Sequence, residues 1–344
     1  MDWGLGHATR CIPIIRELLH QGAKVSLASS GRAGKLLQSE FPDLSYLQLP
    51  SYKIRYYTSN MYWNMAWQGP KFLRAIFAER LHLKKLIRQH HFDAIISDNR
   101  FGCFHPHVPS IFMTHQLHIK IPDPVFNKVV NWINQKIIRQ FDQCWVPDYP
   151  GPENLAGSLS FPPIHAKTIY LGPLSRMQPL TLEKRYDLIV ILSGPEPQRS
   201  NLEKALLIQL QKLPYKVLVV QGKTEVRARK QRHKNIEIVA HLTTPDLNRA
   251  LASSRYVICR SGYSSIMDLA ATAHKALLIP TPGQTEQEYL ADQLLKKGLF
   301  LKQTQEKLDL NEFLNEMEQF SGLSGFQDRE SRLPELVQTF LQSL

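Results

Sequence analysis

The alternation of two patterns in the second half of the chain constrains the fold more than any other feature. Short runs rich in Val, Ile and Leu alternate there with longer segments of helical period. This alternation is typical of a parallel sheet crossed by helices, and it predicts a doubly wound α/β domain. The predicted strands lie at 187–192, 216–220, 236–239, 256–259, 276–279 and 299–302.

Local polar residues predict where the helices of this half begin and end. Ser200 with Glu203 predicts a capping box, and Thr244 followed by Pro245 predicts an N-cap with proline in the first turn. We expect Gly298 to end the helix that follows the fifth strand.

The first half shows the same alternation less regularly, with strands predicted at 24–28, 94–97, 110–113 and 144–146 and helices at 10–20 and 71–89. The periodicity disappears in a stretch rich in proline and glycine, 147–179, which indicates a domain boundary. Because 344 residues exceed one usual core, we expect two domains, at about 150 residues each. The predicted division is an N-terminal domain at 1–172, a C-terminal domain at 173–328 and a final helix at 329–344.

This final helix carries an apolar stripe that must be buried somewhere. We expect it to pack back on the N-terminal domain. The stripe consists of Leu333, Leu336, Val337, Phe340, Leu341 and Leu344.

A glycine loop with Gly4 and Gly6 opens the chain, but no predicted strand precedes it. A doubly wound domain normally begins with such a strand. Either the strand is absent or the true start codon lies upstream of Met1, and we favour the second explanation.

Composition narrows the class of partner. The net charge of +12 favours partners that carry phosphate, namely nucleotides, nucleic acid or an anionic membrane. Nucleic acid is not favoured, because the cations and aromatic side chains fall in separate elements and not along one groove. The four cysteines are scattered without close pairs, and no run approaches the ~18 apolar residues of a membrane span. We therefore expect a cytoplasmic protein that can contact the inner face of the cell membrane peripherally.

The first motif with chemical meaning is the glycine loop itself, residues 2–10, which leads directly into an amphipathic helix. Gly4 and Gly6 let backbone amides approach a ligand at the helix N-terminus. His7 would lie at the mouth of this site, where an imidazole can take a proton from a hydroxyl. The alternative is an ordinary strand-to-helix turn with a capping histidine.

The second motif, residues 193–200, lies between a strand and a helix, where a phosphate commonly binds. Ser193 and Gly194 begin the loop, but two prolines remove amide donors, and Arg199 could supply the missing positive charge. A plain connecting loop is the alternative.

The third motif combines residues 259–268 with residues 280–289 and is the most specific. Asp268 lies near the start of a helix, where its carboxylate could accept two hydrogen bonds from vicinal ribose hydroxyls. Gln287 lies in the first turn of the next helix and could point into the same crevice. The alternative is that both are merely polar helix residues.

These motifs, in this order, resemble the GT-B glycosyltransferases of family 28, typified by the enzyme that adds N-acetylglucosamine to lipid I. The resemblance includes the N-terminal Gly-x-Gly-His loop, the Tyr-Leu-Gly-Pro at 170–173 and the Cys-Arg-Ser-Gly at 259–262. It implies two Rossmann-like domains that face each other across a cleft, with the nucleotide-sugar held mainly by the C-terminal domain. It also implies an inverting hexosyl transfer that uses the nucleotide-sugar as substrate, UDP-linked, and no cofactor.

Carried over motif by motif, the resemblance assigns the donor ligands. Asp268 corresponds to the acidic ribose ligand and Gln287 to the helix-start glutamine. Leu242 corresponds to the position whose backbone contacts the nucleobase. The diphosphate turn and the residues expected beside the donor are Arg260, Ser261, Gly262 and Gln284, together with Ser193, Gly194 and Arg199. The second family glutamine is replaced by Glu288, and the second glycine-rich loop carries prolines.

For the transfer itself, the acceptor hydroxyl must lose a proton. His7 is the first candidate for the base, and Asp98, at a strand end, is predicted to orient His7 or to act as the base itself. His115 and Gln116 are candidates for the acceptor side, with a core histidine as the alternative for His115. We see no metal-ligating cluster in the sequence and expect metal-independent chemistry.

An aromatic and basic segment is predicted to contact a membrane or a sugar acceptor. It contains six aromatic residues, and a basic helix follows it at 71–91. A solvated helix face beside a buried aromatic cluster is the alternative. The aromatic residues are Tyr52, Tyr56, Tyr57, Tyr62, Trp63 and Trp67.

Three functions remain open at this point. The first is a glycosyltransferase that acts on a hydroxyl acceptor, in one version a lipid-linked one. The second is a sugar-nucleotide epimerase of the same fold, and the third is a non-catalytic protein that binds nucleotide-sugars.

Overall fold

The chain folds into two units, one formed by Met1–Leu174 with Ser331–Leu344 and the other by Ser175–Glu330. The computed structural model describes residues 6–51, 61–223, 230–326 and 331–344, without the side chains of 61–70 and 72. The division follows Leu174, close to the predicted boundary after residue 172, and each unit is an α/β structure built on parallel strands.

In the described part of the first unit, six strands form two parallel sheets. The two-stranded sheet pairs β1 with β2, and the four-stranded sheet has the order β3-β4-β5-β6. The strands are β1 (Ser26–Ser29), β2 (Ser45–Gln48), β3 (Ile95–Asp98), β4 (Ser110–Met113), β5 (Gln143–Val146) and β6 (Thr168–Tyr170). Within the described residues no strand precedes the first helix.

A buried arginine ties the carboxyl ends of the two sheets together. Arg100 follows β3, and its Nη1 donates to Ser30 Oγ, directly after β1, at 3.2 Å. Its Nη2 donates to the Pro50 carbonyl, after β2, at 2.6 Å, and its Nε pairs with the fully buried Glu79. Asp98 at the end of β3 is therefore part of a rigid strand end.

The helices of this unit start earlier than their apolar periodicity predicts. The first begins at Gly6 and not at residue 10, and the third begins at Met61 and not at residue 71. Asp123 caps the fourth, with its Oδ1 accepting from Phe126 N at 2.7 Å. The helices are α1 (Gly6–His20), α2 (Gly31–Glu40), α3 (Met61–His90) and α4 (Pro124–Ile138).

The C-terminal helix, Leu333–Gln342, belongs to the first unit. The Phe340 ring meets the buried Trp145 ring edge to face, with 5.3 Å between centroids. The Pro334 carbonyl accepts from Gln21 Nε2 at 2.8 Å. Leu333, Val337 and Phe340 of the predicted stripe are buried, whereas Leu344 is half exposed.

The second unit contains one seven-stranded sheet of order β13-β12-β11-β7-β8-β10-β9. All neighbours are parallel except β9, an exposed edge strand that pairs antiparallel with β10. The strands are β7 (Tyr186–Ile191), β8 (Val217–Val220), β9 (Lys230–His233), β10 (Ile236–Val239), β11 (Ser254–Cys259), β12 (Lys275–Leu278) and β13 (Leu301–Lys302).

Two predicted helix caps in this unit are wrong by a few residues. The first helix begins at Gln198, so Ser200 lies inside its first turn and forms no capping box. The next helix is capped by Thr243, whose hydroxyl accepts from Asp246 N, and not by Thr244. Gly298 has a φ of +67°, and its N–H donates to the Leu295 carbonyl, which confirms it as a helix end. The helices of this unit are α5 (Gln198–Leu210), α6 (Thr244–Ala252), α7 (Tyr263–Thr272), α8 (Thr285–Lys296) and α9 (Leu310–Glu316), and the C-terminal helix of the first unit is α10 (Leu333–Gln342).

The strand order of the second unit defines where a ligand can bind. The chain runs from β7 through β8 to β10 on one side and then returns to place β11 on the other side of β7. Loops diverge at such a reversal, so a crevice opens at the carboxyl ends of β7 and β11. The predicted donor motifs follow these two strands.

Candidate functional site

The first candidate site lies at the N-terminus of α1, where His7 contacts Asp98. His7 Nδ1 is 3.1 Å from Asp98 Oδ2, and the His7 side chain keeps 20% of its surface exposed. Asp98 is the last residue of β3 and is joined to the sheet through β4. An imidazole held by a carboxylate through Nδ1 presents Nε2 as a proton acceptor. The structure therefore brings both predicted base candidates together, and Gly4 lies outside the described residues.

A third residue, Arg10, completes this cluster. Its Nε donates to Asp98 Oδ1 at 2.9 Å, its Nη2 also contacts Asp98 Oδ1, and its side chain is almost fully buried. Nη1 contacts His115 Nδ1 at 2.9 Å, which makes His115 a buried partner of the arginine and not an exposed acceptor ligand. Arg10 was not among the residues predicted for this site. Its spacing of three from His7 on one helix was the available signal.

Burial and this arginine set the proton affinities of the cluster. Burial, followed by the positive charge of Arg10, lowers the pKa of His7 to about 4, with Asp98 opposing. Burial raises the pKa of Asp98, but Arg10 and His7 outweigh it and hold that pKa well below its usual value. Burial and Asp98 raise the pKa of the Cys11 thiol, whose Sγ lies 3.6 Å from Asp98 Oδ2. At neutral pH the cluster thus contains a neutral imidazole beside an ionised carboxylate.

The second candidate site lies at the turn between β11 and α7 in the other unit. Gly262 precedes the first helical residue, Tyr263, and an added Cβ at Gly262 would meet no atom within 4 Å. The first amides of a helix lack acceptors within the helix, and together with the helix dipole they favour an anion. Ser261 stabilises the turn, because its buried hydroxyl donates to the Gln287 carbonyl at 2.7 Å.

Asp268, on the second turn of α7, is a partly buried carboxylate. Ser175 Oγ donates to its Oδ1 at 2.5 Å. Burial raises the pKa of Asp268 to about 6, with opposing contributions from Arg176 and the Ser175 hydrogen bond. The carboxylate is therefore mostly ionised at neutral pH and can accept hydroxyl donors. The contact with Ser175, which lies 93 residues away, had no signal in the sequence.

Arg260 does not have the geometry of a donor ligand. Its side chain is 1% exposed, and Nη1 donates to the carbonyls of Ile279 at 3.2 Å and Pro280 at 2.9 Å. Nη2 donates to the carbonyl of Gln198 at 3.0 Å and to Gln305 Oε1 at 2.6 Å. Arg260 thus joins the loop after β12 to the start of α5 by hydrogen bonds inside the protein.

Arg199 likewise has its charge balanced inside the protein. It is buried, pairs with Glu196 and Glu203, and donates to the Gln221 carbonyl at 3.1 Å. Two carboxylates leave little net positive charge for a phosphate, so the predicted role of Arg199 is not supported. Ser193 and Gly194 are exposed after β7, and the φ of +104° at Gly194 favours glycine there.

Gln287 and Gln284 brace the loop that precedes α8. Gln287 Oε1 accepts from Thr281 N at 2.8 Å, and its Nε2 donates to Gln284 Oε1 at 2.6 Å. Glu288 Oε1 accepts from Gly283 N at 3.0 Å. We had expected Gln287 to point into the crevice, but in this structure its amide closes the loop instead. Leu242 is half-buried in the segment between β10 and α6.

Among the described residues, no group of three His, Cys, Asp or Glu side chains is arranged to hold a metal ion. In the same part of the chain no helix is long and apolar enough to cross a membrane.

Comparison with known proteins identifies the second unit. Residues 197–324 match the family described as Glycosyltransferase family 28 C-terminal domain. This matched range lies within the second unit and covers most of it. Arg199, Leu242, Arg260, Asp268 and the α8 residues lie inside the matched range.

Relatives of similar length extend over nearly the whole chain. An uncharacterized glycosyltransferase of Methanosarcina acetivorans is 22% identical, covering 97% of this chain and 95% of the relative. Another from Methanosarcina mazei is 21% identical, covering 86% and 82%. With the family 28 match, these relatives support a glycosyltransferase function of the GT-B type.

Solved structures show the same fold. MurG of Acinetobacter baumannii aligns with a TM-score of 0.61 at 16% identity, covering 98% of this chain and 96% of that chain. SnogD from Streptomyces nogalater aligns with a TM-score of 0.69 at 11% identity, covering 99% and 96%. SsfS6 from Streptomyces sp. SF2575, solved with thymidine diphosphate, aligns with a TM-score of 0.64 at 12% identity, covering 97% and 96%. These alignments confirm the GT-B fold.

The family 28 match does not reach the first unit. His7, Arg10 and Asp98 all lie outside residues 197–324. Their assignment as a proton-transfer site therefore depends on their own geometry.

Proposed function

We propose that this protein transfers a hexosyl group from a nucleoside diphosphate sugar to a hydroxyl acceptor, with inversion at the anomeric carbon and with His7 as the general base. The observation that carries the proposal is the 3.1 Å contact between His7 Nδ1 and Asp98 Oδ2, because it joins a neutral imidazole to an ionised carboxylate. We take a UDP-linked donor as the first to test, with N-acetylglucosamine among its sugars.

The proposed reaction is a direct displacement. The acceptor oxygen bonds to the anomeric carbon while the bond from that carbon to the diphosphate oxygen breaks. The hydroxyl proton passes to His7 Nε2, and the nucleoside diphosphate leaves with the bonding electron pair. Asp98 then stabilises the imidazolium through Nδ1. A positioned base of this kind typically contributes about 10²–10⁴-fold in rate.

The second unit supports donor binding in this proposal. The Ser261-Gly262 turn and the first amides of α7 are suited to the diphosphate, since a helix N-terminus favours an anion. The Asp268 carboxylate is suited to the ribose hydroxyls, because an ionised carboxylate accepts two donors at once. We propose that these groups act without a metal ion, and full activity in excess EDTA is the expected result.

Two helices of the first unit support a lipid-linked acceptor at an anionic membrane face. On α3, Leu73, Phe77 and Leu81 follow one another at helical spacing and are each more than half exposed. On α4, Val125, Val129, Trp132 and Ile133 are also exposed, and Lys136 Nζ lies 5.0 Å from the centre of the Trp132 ring. Exposed apolar residues beside cations are typical of helices that lie in a membrane interface. Of the aromatic segment predicted for this role, residues 52–60 and the side chains of Tyr62, Trp63 and Trp67 lie outside the described residues.

The membrane proposal has a matched control. Sedimentation with vesicles that contain an anionic phospholipid should retain the wild-type protein, and neutral vesicles should retain less of it. Trp132→Ser with Ile133→Ser should weaken this binding. Ile208→Ser removes an equally exposed apolar side chain from α5 and should leave it unchanged. Equal binding of all three proteins would contradict the proposal.

The catalytic proposal is tested first by donor binding and then by turnover. Binding of one nucleotide among UDP, GDP and dTDP should raise the melting temperature, because a ligand of the native state stabilises it by mass action. The matching nucleotide-sugar should then release nucleoside diphosphate only with a hydroxyl acceptor, and NMR of the product should show the inverted anomer. Conversion of the donor to an epimer without acceptor would indicate an epimerase instead. Donor binding without turnover, across a screen of acceptors, would indicate a binding protein.

A further inference from the structure

The cluster around His7 contains two groups of opposite charge at the same ring nitrogen. Asp98 Oδ2 lies 3.1 Å from His7 Nδ1, and Arg10 Nη2 lies 2.9 Å from the same atom. Ionised Asp98 only accepts hydrogen bonds, and Arg10 only donates them. A neutral imidazole nitrogen either donates or accepts, so only one of these contacts can be a hydrogen bond at any moment.

The contacts of Arg10 favour Asp98 as the hydrogen-bond partner of His7. Arg10 Nε and Nη2 both approach Asp98 Oδ1, which leaves Oδ2 for the ring. Both contacts at Nδ1 would be charge-assisted, but Arg10 already donates through Nε and Nη2 to Asp98 Oδ1, whereas Oδ2 has the His7 ring as its nitrogen partner. The proton therefore belongs on Nδ1, and Nε2 keeps the lone pair that a base needs.

Arg10 cannot move away from the ring to relieve its own contact with Nδ1. Its side chain is 2% exposed, and it is held by Asp98 on one side and by His115 on the other, at 2.9 Å. A fixed cation beside Nδ1–H opposes the arrival of a second proton at Nε2. Among the described residues, the charged or titratable groups of this cluster are Arg10 and Cys11 on α1, Asp98 at the end of β3 and His115 behind the arginine, and the N-terminal amine of the chain adds a smaller positive contribution.

We propose that Arg10 is a positioning residue for the base: its guanidinium holds one oxygen of Asp98, which leaves the other for His7, and its charge opposes proton uptake by the ring. This inference rests on the proposed function in assigning His7 as the base. The effect of Arg10 on the ring is independent of any substrate. Arg10 thereby keeps the imidazole neutral at rest, in the form that can take a proton from a hydroxyl.

NMR of the full chain with labelled histidine tests the inference without a substrate. In the wild type, the ring signals of His7 should show the Nδ1–H tautomer and a pKa near 4. In Arg10→Met, the pKa of His7 should rise from about 4 toward its ordinary value of 6.5. Arg16→Met is the matched control, because Arg16 is an exposed arginine of the same helix paired only at the surface with Glu40. This control should leave the His7 signals unchanged.

Two further variants separate charge from geometry. Arg10→Lys keeps the positive charge, so the pKa of His7 should stay low. A single ammonium, however, cannot hold Asp98 and His115 as the planar fork does. Turnover in this variant should therefore fall about 10-fold or more, with an unchanged KM for the donor. Asp98→Asn should shift the ring toward the Nε2–H tautomer.

The outcomes distinguish this inference from the proposed function. A folded Arg10→Met protein whose His7 titrates as in the wild type would overturn the inference, as would a wild-type ring with the proton on Nε2. If Arg10→Met unfolds, the Arg10→Lys result and the wild-type tautomer decide. If the NMR results are as expected but no donor is turned over, the role of Arg10 stands and the proposed transfer fails.

Discussion

The Asp268→Asn substitution separates a ligand-binding role from a structural one, because it should weaken donor binding and stabilise the empty protein. The substitution keeps the shape of the side chain and one acceptor oxygen but removes the charge. Hydrogen bonds to charged groups contribute about 1.5–3 kcal/mol and those between neutral groups about 0.5–1.5 kcal/mol. The loss on binding is then about 1–3 kcal/mol, which corresponds to a Kd for the nucleoside diphosphate that is about 10- to 100-fold higher.

The expected stabilisation follows from the raised pKa. Asp268 has a pKa of about 6 in the folded protein against an ordinary value of 3.8. A carboxylate with a raised pKa destabilises the fold above that pKa, and the penalty disappears as the pH falls from above 6 to below 3.8. The upper limit of this penalty is about 3 kcal/mol at neutral pH, and the lost charge-assisted bond from Ser175 offsets part of it. The melting temperature of the empty variant at pH 7.5 should therefore rise.

The pH dependence of binding gives an independent check. Because the ionised carboxylate accepts the ribose hydroxyls, the wild-type Kd should rise about tenfold per pH unit below pH 6. The ratio of variant to wild-type Kd should shrink over the same range, and the titration of the nucleotide's own phosphates cancels in this ratio.

Calorimetric titration from pH 5 to pH 8 and thermal melts without ligand measure both effects. Asp292→Asn removes an exposed carboxylate of α8 and should change neither Kd nor its pH dependence. A variant that binds nucleotide as the wild type does would refute the ribose role. A variant that binds more weakly and also melts lower would indicate a structural role.

Three further predictions concern other parts of the molecule. His7→Ala should lower kcat about 10²–10⁴-fold with an unchanged KM for the donor, measured by steady-state kinetics at saturating acceptor. A kcat within threefold of the wild type would contradict the assignment of His7 as the base. Arg260→Met should lower the free energy of unfolding of the second unit by about 2–4 kcal/mol in denaturant, because it leaves buried carbonyls without donors. An unchanged denaturation midpoint would show that Arg260 does not stabilise these loops. Phe340→Ala should lower the free energy of unfolding of the first unit by about 3–5 kcal/mol, because the ring fills the space beside Trp145. A loss below 1 kcal/mol would mean that the C-terminal helix does not stabilise that unit.

The strands were predictable wherever both faces are buried. β8 is a fully buried run of Val and Leu, and the buried residues of β7 are Leu, Ile and Val, so composition alone marks both strands. The polar edge strand β9 was not predicted as a strand, because its exposed side chains carry no apolar pattern, although it forms a short hairpin with β10. Helix starts were displaced for a similar reason: the first turn of α1 carries His7 and Arg10, whose burial depends on Asp98 and not on an apolar pattern.

The pairing of His7 with Asp98 was predicted from the sequence, whereas Arg10, the third member of the cluster, was not. His7 and Asp98 were identified from a glycine loop and a strand end, and the fold joins them across 91 residues. Arg199 and Arg260 were expected to face a ligand because arginine binds phosphate. Both are instead buried and bound to the protein itself.

The sequence by itself determined the α/β class, the two-unit organisation and the position of the second and third motifs after strands, because these depend on local period and on the glycine and proline at turns. Tertiary structure alone decided which charged side chains remain available to bind a ligand. Whether an arginine binds a phosphate or a neighbouring carboxylate depends on the groups that long-range packing brings within hydrogen-bond distance, and a one-dimensional pattern does not contain that distance. For this reason Arg10 is the partner of Asp98 and His7, whereas Arg260 holds together the loops of the second unit.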